Sequence, residues 1–113
     1  NYIQMEKKIE KGTQFIPQEM IDYSEGGIVS KEFLHNDAGS LTLFAFDAGQ
    51  ALSEHSAPFD ATVQVLDGEA VIKIDGVERT VTAGETIIMP ANHPHALRAD
   101  KRFKMLLIMI KGK

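Results

Sequence analysis

The fold is decided by two stretches, Gly49-Gln-Ala-Leu-Ser-Glu-His55-Ser-Ala57-Pro-Phe-Asp60-Ala61-Thr-Val-Gln-Val-Leu-Asp-Gly68 and Gly84-Glu-Thr-Ile-Ile-Met-Pro90-Ala-Asn92-His93-Pro-His95. Gly49 and Gly84 each stand just ahead of a strand, where the chain reverses and a positive φ is useful. Within the first stretch, Ala61, Val63 and Val65 alternate with Thr62 and Gln64, so the strand Ala61 to Leu66 has two unlike faces. Asp67-Gly68 reads as the turn that closes this strand. In the second stretch, Thr86 to Met89 reads as a strand. Pro90 lacks a backbone donor and marks its end.

The same punctuation continues outward in both directions. Ile28 to Leu34, Leu41 to Phe46, Ala70 to Ile74, Val77 to Val81, His95 to Ala99 and Phe103 to Ile110 are short apolar runs. Clusters of Gly, Pro, Asp and Asn separate them, the pattern of an all-β barrel or sandwich. Asp75-Gly76 is a two-residue hairpin signal, because both turn positions need φ > 0. Pro17 to Tyr23 offers one helical turn, stopped at Gly26-Gly27. No repeat or linker interrupts the chain, so residues 1–113 are expected to form one domain. Asn1 to Glu10 is expected to be an N-terminal arm without the apolar core of a signal peptide. Met5 reads as a start site, with Asn1 to Gln4 upstream of it.

The two stretches resemble the two motifs of the cupin superfamily. The first motif runs Gly, five residues, His-x-His, three or four residues, Glu, six residues, Gly. The second runs Gly, five residues, Pro-x-Gly, two residues, His, three residues, Asn. The resemblance covers Gly49 to Ala99 and implies an antiparallel double-stranded β-helix, the jelly-roll or cupin barrel. Cupins host many activities, so the fold alone does not name one.

The resemblance also implies a metal held inside the barrel by the His and Glu side chains of the motifs. Here His55 matches the first His and His95 the second-motif His. The other positions depart: Ala57 replaces the second His, Ala61 or Thr62 the Glu, and Ala99 the Asn. Two of the four expected ligands are therefore missing. Catalytic zinc uses three protein ligands and structural zinc four, so a divalent metal (Zn, Fe, Mn or Ni) would need a third group here. His93 is one candidate, because His93-Pro94-His95 in extended geometry puts both imidazoles on one face; the alternative is a His93 that sits in the loop before the strand and faces solvent. Asp60 is another, if Pro58 makes the strand start irregular. The alternatives are a metal-free pocket in which His55 and His95 bond a ligand, and plain packing.

The pocket is expected to be lined by His55, Ala57, Phe59, Ala61, Val63, His93 and His95. Alanine at positions 57 and 61 makes it roomier and less polar. That favours a small, partly apolar ligand with one or two polar handles. Met89, Met105 and Met109 read first as core filling and second as an adaptable pocket lining. Phe44 and Phe46 carry the same two readings. Gln64 falls on the other face from Val63, and His35 lies beside a turn and is expected to be solvated.

Composition narrows the function further. The chain has no Cys, which excludes a disulfide framework, a thiol nucleophile and an iron–sulfur cluster, and fits a reducing cytoplasm. Its net charge is -4, with no basic stripe, so nucleic acid is not an expected partner. The longest apolar run, Met105 to Ile110, is too short to span a membrane. No catalytic-triad, phosphate-loop or dinucleotide signature is present. Three readings remain: a small-molecule-binding protein, a metal-dependent oxygenase or isomerase using His55, His95 and a third ligand such as His93, and a cofactor-free catalyst with a His general base. A homodimer is expected, because small cupins commonly pair and Phe103 to Ile110 is apolar on both faces, a strand that needs covering twice.

Overall fold

A computed structural model describes residues 7–111, so the start site expected at Met5 and the segment Asn1 to Gln4 lie outside the described residues. The alternating segments form eight strands: β1 (Ile28–Asn36), β2 (Gly39–Phe46), β3 (Ala51–His55), β4 (Ala61–Ile74), β5 (Val77–Thr82), β6 (Thr86–Met89), β7 (His95–Arg98) and β8 (Phe103–Ile110). Every pairing is antiparallel. One sheet runs β1-β2-β8-β4-β6 and the other β3-β7-β4-β5. This is the all-β double-stranded β-helix implied by the sequence. The predicted hairpin is also present, with φ of 52° at Asp75 and 81° at Gly76. The helical signal at Pro17 shrinks to a single 3-10 turn, Pro17–Glu19.

Asp67-Gly68 is not a turn. β4 runs through it, and the register with β8 slips between Val65 and Asp67. β4 pairs with β8 through this bulge as far as Gly68; from Glu69 it pairs with β5 and, from Val71, with β7. One strand thus belongs to both sheets and turns the corner between them, a common use of a bulge. Gly68 has φ 72°, and a Cβ there would lie 1.9 Å from the carbonyl oxygen of Arg102. The glycine sets a close approach of two backbones rather than a strand end.

The inner faces of the two sheets meet in a core that includes Phe46, Val63, Val65, Ile72, Phe103 and Met105. Phe46 and Phe103 stack with centroids 4.4 Å apart. The outer face of the larger sheet is partly covered from within the chain. Ile21, Leu43 and Ala45 are buried there, with Ile9, Met20, Tyr23 and Leu106 packed around them. The Tyr23 hydroxyl donates to Asp67 at 2.6 Å. Part of the cover that the outer face of β8 requires is therefore the protein's own N-terminal segment. Beyond Leu106 a stripe stays open, taken up below.

Candidate functional site

The site begins with an irregularity in β3. Ala51 pairs with Arg98 and Leu52 with Leu97, but the next partners are His55 and His95. Three residues of β3 thus match two of β7. Without the extra residue, strict alternation from Leu52 would send Glu54 inward and His55 outward. The bulge re-aims His55 so that it stands directly across from His95. The sequence marks β3 only through Gly49 ahead of it and gives it no bounds, because Leu52 is its one inward apolar residue and Ser53-Glu54-His55 carries no strand signal.

The two rings meet edge-on, with His55 Nε2 and His95 Nε2 3.2 Å apart. His55 Nδ1 lies 2.9 Å from the Ser53 carbonyl, and His95 Nδ1 lies 3.3 Å from the His93 carbonyl. A carbonyl only accepts, so each Nδ1 donates, and the Nε2–Nε2 contact at 3.2 Å is a hydrogen bond when one of the two rings carries a proton there as well. His95 is buried, whereas His55 sits at the exposed rim. Burial first, and then the neighbouring His55, hold the His95 pKa below the ordinary imidazole value, against an upward pull from the His93 carbonyl. His95 is therefore neutral at pH 7.

These nitrogens open onto a cavity of about 70 Å³ between the sheets. Ala57, Ala61, Met89, Met105 and Met109 line it. Phe44, Leu52, Leu97 and Leu107 complete the apolar wall. His55 and His95 are the polar side chains among these residues. Of the residues expected in the pocket, His55, Ala57, Ala61 and His95 come together. Val63 is fully buried in the core and is not part of the wall. Phe59 lies outside as well, with the Lys111 ammonium 5.3 Å from its ring centre. The methionines fill the core and line the cavity at once.

His93 does not join the pair. Its Nδ1 lies 2.7 Å from Asp75 Oδ2, across the loop from the β4–β5 hairpin. Asn92 precedes it with φ 65°, a left-handed conformation that Asn tolerates at the family's glycine position. The turn redirects the chain, so the extended His-Pro-His geometry predicted from the sequence does not put both imidazoles in the pocket. Asp60 is also committed elsewhere, accepting from Ala91 N at 2.9 Å. Among the described residues no group of three His, Cys, Asp or Glu side chains is placed to hold a metal. Two imidazoles with no carboxylate do not fit the divalent ion that the family's motif implies.

The comparisons with known proteins agree with this architecture. A family model described as a cupin domain matches residues 42–111. The chain belongs to the cupin domain family. Among solved structures, this cupin is 34% identical to a conserved protein of unknown function from Streptococcus pyogenes, covering 100% of this chain and 99% of that one, with a TM-score of 0.88. A cupin 2 conserved barrel domain protein from Leptotrichia buccalis is 43% identical over 83% of this chain but only 46% of its own, with a TM-score of 0.81. A cupin superfamily protein from Desulfitobacterium hafniense shares 27% identity over 95% of this chain and 98% of its own, with a TM-score of 0.85. No curated protein matches the chain.

Proposed function

We propose that this cupin binds a small, largely apolar molecule in the barrel cavity and holds it by one hydrogen-bond donor shared between His55 and His95. The observation that carries this reading is the pair of imidazoles, each with Nδ1 on a backbone carbonyl, whose Nε2 atoms meet at one apolar cavity. When both rings carry their proton on Nδ1, two lone pairs face each other 3.2 Å apart, and a donor placed beside both relieves the repulsion. A hydroxyl or ammonium group supplies that donor, and the apolar wall accepts the rest of the molecule. At about 70 Å³ the cavity suits a compact ligand, well below drug size. A metal-dependent oxygenase or isomerase built on His55, His93 and His95 gains no support from this geometry, since His93 is paired with Asp75.

The test is a screen of the chelator-treated protein against short alcohols, phenol and small amines by ligand-observed NMR and thermal shift. Binders are expected among donor-bearing compounds, with affinity at least tenfold weaker in His95→Ala. Absence of any binder, or equal binding by the variant, refutes the reading.

The same proposal includes a homodimer. Leu34 pairs with Leu41, Leu41 with Ile108, Ile108 with Thr62, and Thr62 with Ile88, so these side chains form one row across the outer face of the larger sheet. Leu34 is 43% exposed and Ile88 60%. An uncharged row of this kind supports a self-complementary contact between two copies.

A further inference from the structure

We infer that the cavity is also a site for a soft monovalent metal ion, copper(I), bound by His55, His95 and the thioethers of Met89 and Met109. This goes beyond the small-molecule reading, because it names a different occupant for the same nitrogens. Of the two positions where the family's motif has its carboxylate, 61 and 62, Ala61 is the one that lines the cavity. Ala61 pairs on one side with Met89 of β6 and on the other with Met109 of β8. Directly paired residues share a face of the sheet. Ala61 is buried and faces the cavity, so the two methionines flank it on the inner face. A hard oxygen donor has been removed, and a soft sulfur donor stands on each side of the gap.

Donor chemistry selects the metal. Thioethers favour copper(I), and imidazole serves it as well, whereas carboxylates and water suit the harder ions. Charge selects it again. The Born cost of burying an ion rises with the square of its charge, and the site has no anion to offset a divalent one. A monovalent ion among neutral donors carries about a quarter of that cost.

The spacing of the nitrogens fixes how many ligands are needed. With metal–nitrogen bonds of about 2.0 Å, nitrogens 3.2 Å apart subtend about 105° at the metal. A linear two-coordinate ion would need them about 4 Å apart. The bent angle leaves room for further ligands, and Met89 and Met109 line the same cavity as the two imidazoles. Met105 lines the same cavity and is a reserve donor.

The experiment is an anaerobic titration of chelator-treated protein with copper(I) against bicinchoninate. NMR of the methionine methyl groups follows, with silver(I) as a redox-inert substitute. One equivalent of copper(I) is expected, retained at least a hundredfold more tightly than zinc(II), and silver(I) should shift the Met89 and Met109 methyl resonances. The double variant Met89→Leu/Met109→Leu preserves volume and should weaken copper(I) at least tenfold, with its folding checked by thermal melting. His55→Ala should abolish binding. Failure to compete with bicinchoninate overturns the inference, as does unchanged affinity in the double leucine variant or tighter binding of zinc(II). Because the ligand screen runs on metal-free protein, failure here leaves the small-molecule reading standing, and the reverse also holds.

Discussion

Replacing Gly68 with alanine tests whether β4 is one strand shared by two sheets. The new Cβ would lie 1.9 Å from the Arg102 carbonyl oxygen and 3.1 Å from the Cα of Phe103. Both obstacles are backbone, so no side chain can swing aside. Two costs add. The left-handed φ of 72° costs alanine about 1–2 kcal/mol. Forcing apart the β4 and β8 backbones costs about 1–3 kcal/mol, the usual range for overpacking. The sum is about 2–5 kcal/mol, which for a domain of this size lowers Tm by roughly 8–20 °C. Gly84→Ala is the control. Gly84 has φ 92° but nothing within 4 Å of its Cβ position, so only the first cost applies. Its Tm should fall by roughly 4–8 °C. Thermal unfolding followed by circular dichroism measures both. If Gly68→Ala melts with or above Gly84→Ala, the close approach at the corner of β4 does not exist, and the two-sheet description fails with it.

Other perturbations have equally definite outcomes. His95 has a folded-state pKa below the ordinary value near 6.5, so between the two values the unfolded chain binds a proton that the folded chain does not. Stability should therefore fall as pH drops from 7 toward the lowered pKa, by at most about 1.4 kcal/mol per pH unit, and urea unfolding of His95→Gln should show a shallower slope. Identical slopes would count against a neutral buried imidazole. Tyr23→Phe removes the hydroxyl bond to Asp67 and should cost about 1–2 kcal/mol in urea unfolding, at the low end for a charged partner because Asp67 is exposed. No loss would mean that the N-terminal segment is not tied down there. Ile88→Lys places a charge in the exposed apolar row and should convert a dimer to a monomer in sedimentation experiments at micromolar concentration; a wild type already monomeric refutes the dimer.

Much of this fold was legible in the sequence because its strands alternate and its turns are marked. The Asp75-Gly76 hairpin and the inward face of Ala61, Val63 and Val65 needed nothing beyond parity and turn chemistry. A bulge, by contrast, changes parity without leaving a sequence signature. At Gly68 a bulge imitated a turn. In β3 a bulge turned His55 inward, where alternation from Leu52 would have pointed Glu54. The candidate site was legible at His55 and His95 through their motif positions, but the partner of His93 was not. Asp75 is eighteen residues away and reaches it only through the fold. The paired placement of Met89 and Met109 beside Ala61 was equally hidden, because it depends on strand register across three strands.

The position of β8 in the larger sheet sets the timetable of synthesis. β8 lies between β2 and β4, although it is the last of the strands among the described residues. Until Phe103–Ile110 leaves the ribosome, both neighbours present a bare edge, and Phe46 lacks its stacking partner Phe103. The barrel cannot close strand by strand as it emerges. Its long-range pairings must form together, late, from a chain that has carried open edges throughout translation. A message truncated before Phe103 would thus yield a sticky, edge-exposed product rather than a slightly weaker barrel.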